Sequence, residues 1–535
     1  MWCDSCLVVD VMNRTHRTPK VPMSAEQPNT SMPQWEQLFR LPDRVGGMSL
    51  QASLRGCIVQ AILTGRLTPG TALPSSRVLS QLLALSRNTV TAAYQQLMDD
   101  GYLESRLRSG VFVALNARPL MVDLAAASND PFRGPQERVE LAPDWSARVV
   151  RSRGHERSLS KPARWQDYPY PFVYGASDDK SFPIEGFREC CALTTSRAQL
   201  PEWTHDLESA DVAILITQIR QRLLPARGVF ALADEILITI GSQQAYTLLA
   251  EALFDTQTRV GLEEPGHPHA RNSMAARAPR FVGIEVDEQG LVVEGLPELD
   301  YVFVTPSHQS PSTHVMSLER RQWLLRKAEL QNFVIIEDDY EAENLYEGTP
   351  MPALKSLDQT GRVVYVGSIS KSLSSALRLG FIVASKELIA ALRQTRHAML
   401  RHPSAFLQHT YAMYLSLGHH ETHARRVNAE MLQRLVRVGE ALQQHLPAFR
   451  FQLPRGGASI WVQAPAHIDS AELALVAQQF GVLIEPGEVF YMHPPKPCAF
   501  FRLRISSIGL GQIDAGIAAL ARAVKTLEMR QPSCG

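Results

Sequence analysis

Lys371 is the side chain with the most chemistry to offer. It stands in Gly367-Ser368-Ile369-Ser370-Lys371, just past the apolar run Val363–Val366. A lysine held where its neutral form is favoured captures an aldehyde as a Schiff base. Two hydroxyls, Ser368 and Ser370, precede it and Arg378 follows seven residues later. Such groups hold a phosphate by hydrogen bonds and charge. A second anion cradle is written at Gly241-Ser242-Gln243-Gln244-Ala245, which follows Ile236–Ile240 and opens a helical stretch. There, unpaired backbone N–H groups and the helix dipole both favour negative charge. The apolar run Phe333–Ile336 ends in Glu337-Asp338-Asp339-Tyr340. A carboxylate at the carboxyl end of a parallel strand is well placed to keep a pyridinium nitrogen protonated. Singly, each pattern is common in loops and helix caps; their order along one sheet edge is the signal.

A different chemistry is written near the N-terminus. Arg87, Asn88, Thr89 and Thr91 stand at the start of a helical pattern, opposite its apolar Val90/Tyr94 face. Recognition helices present N-terminal side chains to base edges in this way, with Arg suited to guanine and Asn to adenine. Arg77 on the preceding helix, and Arg106, Arg108 and Gly110 on a hairpin, fall where backbone or minor-groove contacts are made. Late in the chain, Phe501-Arg502-Leu503-Arg504 reads as a strand, so both arginines project from one face. The run Gly418-His419-His420-Glu421-Thr422-His423 reads as a solvated helix turn, with no metal assigned because its spacing lacks a clear ligand set. Cys3 and Cys6 have redox-pair spacing but neither a strand before them nor a helix after, and are read as tail.

The elements that position these residues fall into two groups. Residues 1–47 read as a flexible tail and 48–115 as a small DNA-binding domain. In the latter, Leu50, Leu54, Ile58 and Ile62 make a helical stripe, Pro74-Ser75-Ser76 opens a second helix through about Leu83, and Ser86 caps a third. Tyr102–Glu104 and Val111–Val113 then pair as a wing. Residues 116–165, with Pro119, Pro131, Gly134, Pro135 and Pro143 among charged and small polar residues, read as a linker, partly helical near 140–150. From 166 to 535, short apolar strands (Ile236–Ile240, Val260–Leu262, Tyr301–Val304, Phe333–Ile336, Val363–Val366) alternate with helical stretches. That pattern implies an α/β domain whose parallel sheet is covered on both faces, with a smaller C-terminal subdomain.

Composition agrees. At 535 residues the chain exceeds one compact domain. Lys+Arg and Asp+Glu both number 54, so nucleic-acid binding must come from a local patch. No apolar run reaches the roughly 18 residues of a membrane span. The start lacks a secretory pattern, and seven scattered cysteines suit a reducing cytoplasm.

The stretch Gly65–Arg77, then Ser86-Arg87-Asn88-Thr89-Val90 and Gly101–Arg106, closely resembles the GntR-type winged helix. From about Phe172 the chain resembles fold-type I aminotransferases, and as a whole it resembles the MocR/GabR transcription regulators. The matching words are Gly241–Ala245, Glu264-Pro265-Gly266, Thr305-Pro306-Ser307-His308-Gln309, Ile336–Tyr340 and Ser368–Lys371 with Arg378-Leu379-Gly380. The resemblance implies pyridoxal 5'-phosphate held as an internal aldimine by Lys371. Asp338 would pair with the ring nitrogen and Tyr340 with its phenolic oxygen. Ser242, Gln243, Ser368, Ser370 and Arg378 would surround the phosphate, His267 would stack on the ring, and His308 or Gln309 would lie beside it. Arg502 would take the carboxylate of an effector.

Departures from the pattern are expected to reshape ligand access. His267 stands where relatives carry an aromatic, Asp211 lies where a Gly-rich segment is usual, Thr313 replaces a glycine, and Ser374-Ser375-Ala376 replaces Phe-Pro-Gly. Cofactor binding is therefore expected ahead of multi-step turnover. The implied function is a cytoplasmic, homodimeric regulator of promoter DNA that senses a small amino compound through external aldimine formation at Lys371. The alternatives are a working aminotransferase with an accessory DNA-binding domain, and a DNA-binding protein whose large domain has lost the cofactor and only dimerises.

Overall fold

A computed structural model describes residues 35–39, 49–107, 109–117, 143–149, 157–175, 182–277, 279–346, 351–369 and 373–530. The chain divides into two compact units, Met1–Val150 and Arg151–Gly535.

In the first unit, helices α1 (Leu50–Leu63), α2 (Ser76–Leu82) and α3 (Arg87–Asp99) precede a hairpin of β1 (Leu103–Arg106) and β2 (Gly110–Val113). Each helix starts at a serine whose hydroxyl accepts a backbone N–H: Ser49 from Ala52, Ser75 from Val78, Ser86 from Thr89. Such caps satisfy donors that the first helical turn leaves unpaired. Leu54, Ile58, Ile62, Leu79, Val90, Ala93, Tyr94 and Leu97 are buried together. Leu50, expected on the α1 stripe, is instead 40% exposed, because it begins the helix beyond the reach of the other two. Ala61 is buried in its stead. In the 116–165 stretch the helical content is the single turn Trp145–Arg148 among the described residues.

The second unit is built on a sheet of eight strands. In chain order they are β3 (Ile236–Thr239), β4 (Arg259–Glu264), β5 (Arg280–Asp287), β6 (Gly290–Leu291), β7 (Tyr301–Val304), β8 (Val334–Asp339), β9 (Val363–Ser368) and β10 (Gly380–Val383). Their spatial order is β3-β10-β9-β8-β7-β4-β5-β6. The run from β9 through β8, β7 and β4 to β5 is parallel, as expected for the four apolar strands among them. The departure is β10, antiparallel to both β9 and β3. The chain re-enters the sheet beside the strand it left, with Gly380 opposite Ser368. Neither β10 nor β5 is among the expected strands: β10 is the short run Gly380–Val383, and β5 carries Arg280, Glu285 and Asp287 beside the edge strand β6.

Helix α4 (Gly241–Leu253) covers one face of the sheet, burying Ala245, Tyr246, Leu248 and Leu249 against β-strand side chains such as Phe303 and Ile336. On the other face, α5 (Ala405–Ser416) packs with Tyr365 and Phe381. The long helix α6 (His419–His445) leads into the C-terminal subdomain, where a second antiparallel sheet is made of β11 (Arg450–Phe451), β12 (Ser459–Gln463), β13 (Glu485–Pro486) and β14 (Phe500–Arg504).

Candidate functional site

Period-2 alternation along β8 sends its two aspartates to opposite faces of the sheet. Asp338 turns toward α4 and accepts the Tyr246 hydroxyl at 2.6 Å, both groups buried. Asp339 turns toward the other face, where it accepts from Arg227 Nε at 2.7 Å and the Tyr365 hydroxyl at 2.9 Å. Asp339 is thereby committed to a buried ion pair. Burial and the neighbouring Asp338 carboxylate raise the Tyr246 pKa well above its ordinary value, so the phenol stays a donor. Ser242, one turn before Tyr246 on α4, also bonds its hydroxyl.

The start of α4 lies beside Arg378. Gly241 has φ +70°, and a Cβ there would meet the Arg378 guanidinium at 3.4 Å. Arg378 itself has φ +53° and donates from Nη2 to Gln243 Oε1 at 3.2 Å. Gly380 completes the close approach, since a Cβ on it would stand 3.0 Å from the Gly241 backbone. A guanidinium at the positive end of a helix is electrostatically unfavourable by itself. Together with the N–H groups of Gly241–Gln243 it forms a donor set completed by an anion, which is what a phosphate ester brings. Ser368 ends β9 one strand away, opposite Gly380. These residues fit the phosphate end of the cofactor that the resemblance implies, and Asp338 fits its ring nitrogen.

His267 and Tyr340 lie in the same neighbourhood. The His267 ring sits edge-on to Tyr246 at 6.3 Å and to Tyr340 at 6.1 Å. Its Nδ1 accepts the Ala270 N–H at 3.1 Å and caps the helix Pro268–Met274. That bond leaves the ring proton on Nε2. Burial, reinforced by Glu341, holds the Tyr340 phenol above its ordinary pKa, while Arg502 and Arg504 pull the other way.

The carboxamide of Gln309 ties loops together. Its Nε2 donates to Glu263 Oε2 at 3.2 Å and to the Pro265 carbonyl at 2.8 Å, and its Oε1 accepts from Ser312. Burial pushes Glu263 up to about 7 despite the Thr305 and Gln309 donors. His308 packs against Gly456, where a Cβ would come within 2.7 Å of the ring. It lines a cavity of about 670 Å³ with Arg227, Ser307, His314 and Arg455. Burial lowers its pKa, so it is neutral.

Arg502 and Arg504 are both buried on β14. Arg502 Nε donates to Glu485 Oε2 at 2.6 Å, and its guanidinium lies 4.6 Å from the Phe490 ring centroid. The other Glu485 oxygen accepts the Tyr174 N–H at 2.7 Å. Arg504 Nη1 donates to Glu341 Oε1 and Ser459 Oγ, each at 3.1 Å. With Nε engaged and the guanidinium over the Phe490 ring, Arg502 retains its two terminal nitrogens, a donor pair suited to a bidentate acid.

The departures acquire local roles. Asp211 is a buried anchor, accepting from Arg393 at 2.8 Å and Arg396 at 2.6 Å. Thr313 keeps the left-handed backbone expected of a glycine, with φ +67°. Ser374 caps the turn Ser375–Leu377. The histidine run is a correction: His420 and His423 are buried, because α6 turns them toward the protein interior rather than toward solvent. Lys371, Ser370 and Arg108 lie outside the described residues, as do Cys3 and Cys6.

In the first unit, Arg77, Arg87, Asn88 and Thr91 are exposed around the start of α3. The Thr89 hydroxyl is engaged with Ser86 at 2.8 Å. Arg106 is paired with Glu104 at 2.6 Å and lies over the Phe112 ring, and Gly110 has φ +111° at the wing tip.

Sequence reasoning missed Tyr246, Glu485 and Glu341. Tyr246 carried a usable signal, four residues after Ser242 on a helix that opens at the cradle. The two glutamates carried none, since their partners are set by tertiary packing.

Comparison with known proteins gives two family matches. Residues 50–113 match "Bacterial regulatory proteins, gntR family", and residues 215–520 match "Aminotransferase class I and II". The chain is 39% identical over 492 residues to the HTH-type transcriptional regulator TauR of Rhodobacter capsulatus, covering 92% of this chain and 99% of that one. It is 30% identical to the probable rhizopine catabolism regulatory protein MocR of Rhizobium meliloti, covering 91% and 96%. The kynurenine aminotransferase structure of Pyrococcus horikoshii aligns with TM-score 0.65 at 24% identity, covering 76% of this chain and all of that one, a likeness of fold.

Proposed function

The chain belongs to the MocR-type transcription regulators, which join a gntR-family winged helix to an aminotransferase class I and II domain, and from that premise we propose that it is a pyridoxal-phosphate-dependent switch on DNA that reports a small amino compound carrying an acidic group. Pyridoxal phosphate supplies an aldehyde that condenses with amines and a ring that withdraws electrons when its nitrogen is protonated. The observation that carries the reading is the buried Tyr246–Asp338 pair, 2.6 Å apart, beside the anion-seeking start of α4. Asp338 holds the ring nitrogen's proton, and Tyr246 keeps that carboxylate oriented. Gly241–Gln243, Ser368, Ser370 and Arg378 hold the phosphate, His267 and Tyr340 flank the ring, and Lys371 is the attachment point.

Lys371 would carry the cofactor aldehyde, which reacts with amines, and Arg502 would receive the acid group of an incoming amine. DNA binding would respond to the extent that the amine favours one conformation over another. Arg87 and Asn88 read base edges. Arg77, Thr89, Thr91, Arg106, Arg108 and Gly110 contact or shape the approach to the backbone. The active species is a cytoplasmic homodimer on repeated half-sites.

The test is an absorbance titration of purified protein with a panel of amino acids, followed by DNA binding with and without the compound that responds. The reading expects a Lys371-linked absorbance band, its loss in Lys371→Ala, and a changed DNA affinity with the responding amine. Steady keto-acid production at about 1 per second with unchanged DNA binding would replace it with an enzyme.

A further inference from the structure

His420 sits between two strand-end segments that the proposed site needs. Its Nε2 lies 2.7 Å from Glu343 Oε1, five residues past Asp338, and its Nδ1 lies 3.0 Å from the Tyr411 hydroxyl. That hydroxyl in turn donates to the backbone carbonyl of Ile369 at 3.2 Å. Ile369 is the residue after β9, two before Lys371. His420, Tyr411 and Ile369 are all buried. Asn428 on the same helix α6 donates to the Glu343 carbonyl at 2.7 Å, so the Glu343 end is held twice.

The proton inventory of this chain is restrictive. For Tyr411 to donate to Ile369, its oxygen must accept from His420 Nδ1–H. Nε2–H must also donate to the Glu343 carboxylate, because a carboxylate only accepts. All three bonds coexist only when His420 carries both ring protons. When the imidazole is neutral and still donates to Glu343, Nδ1 becomes an acceptor, and the Tyr411 proton turns toward it and away from Ile369.

We propose that His420, acting through Tyr411, is a positioning residue whose charged form tethers the Ile369 carbonyl and so steadies the base of the Lys371 segment, linking helix α6 to the ease with which an amine displaces that lysine. The proposal rests on Lys371 being the cofactor attachment point. The groups acting on the imidazole are Glu343 after β8, Tyr411 on α5 and Glu421 on α6, with Glu421 paired to Arg222 at 3.1 Å; His423 and Arg426, further along α6, pair with each other. Burial opposes the charge on His420, but Glu343 and then Glu421 outweigh it and raise the pKa above the ordinary imidazole value. The tether is therefore complete below the ordinary histidine range and is lost as pH rises through the raised value.

Hydroxylamine serves as the probe, because it competes for the cofactor aldehyde whatever the natural effector is. The cofactor-loaded wild type is compared with His420→Gln and Tyr411→Phe by following loss of the Lys371-linked band from pH 5.5 to 9. The wild type should grow more reactive as pH rises through a titration that both variants lack. At low pH both variants should react about 3- to 10-fold faster than wild type, the effect of losing one hydrogen bond. Melting temperatures recorded alongside identify a merely structural role, which would lower stability while leaving the pH profile of the reaction in place. A profile unchanged in either variant overturns the tether. Absence of a band in wild type, or its persistence in Lys371→Ala, instead overturns the cofactor reading and the tether with it.

Discussion

A hydroxyl given to a buried carboxylate is worth more than one given to a neutral acceptor, because the charge has lost its water. Tyr246 is such a donor. Tyr246→Phe keeps the ring and its packing but removes the 2.6 Å bond to Asp338. The cofactor's dissociation constant should rise by about tenfold or more, measured by equilibrium dialysis of the absorbing species, with little change in fold. Thr313 makes the opposite case. A β-branched residue at φ +67° is strained. Thr313→Gly should stabilise the protein by about 1 kcal/mol, read as a higher urea midpoint at unchanged slope. An unaltered or lower midpoint would mean that the threonine's own contacts repay its backbone.

At the scale of elements, Asp211 joins the segment before Ala213–Gln218 to helix Lys386–Leu400 through Arg393 and Arg396. Arg396 is fully buried and also donates to the Ile238 carbonyl of β3. Asp211→Ala leaves that guanidinium without its counter-charge and should cost about 3–5 kcal/mol, measured by chemical denaturation of the whole chain. Much of this architecture was legible in the residues. The serine caps at 75 and 86 and the burial of Val90 and Tyr94 follow from local spacing, and five sheet strands stand out as apolar runs. What was not legible is long-range: the antiparallel entry of β10, the Arg502–Glu485 and Arg504–Glu341 pairs, and the inward turn of His420. Each depends on which surfaces meet, and charged residues at strand ends read alike whether they face water or one another. The candidate site was legible in its polar words, Asp338 and Arg378 among them, while the residues that hold those words in place were not.

For the whole molecule, equal numbers of acidic and basic residues mean that long-range attraction to DNA is weak. Affinity then rests on few contacts, so Arg87→Ala should cost about 1–3 kcal/mol of specific binding with a smaller loss on unrelated sequence. Fluorescence anisotropy at two salt concentrations checks this; equal losses on both sequences would make Arg87 a phosphate contact. A final consequence comes from the pairing of Ser368 with Gly380 and of the Ile369 N–H with the Leu379 carbonyl, 3.1 Å away. A span with both feet planted on adjoining strands behaves as a handle and not as a lever. If Lys371 is the attachment point proposed above, a signal of its exchange would have to leave sideways, through whatever grips those two feet.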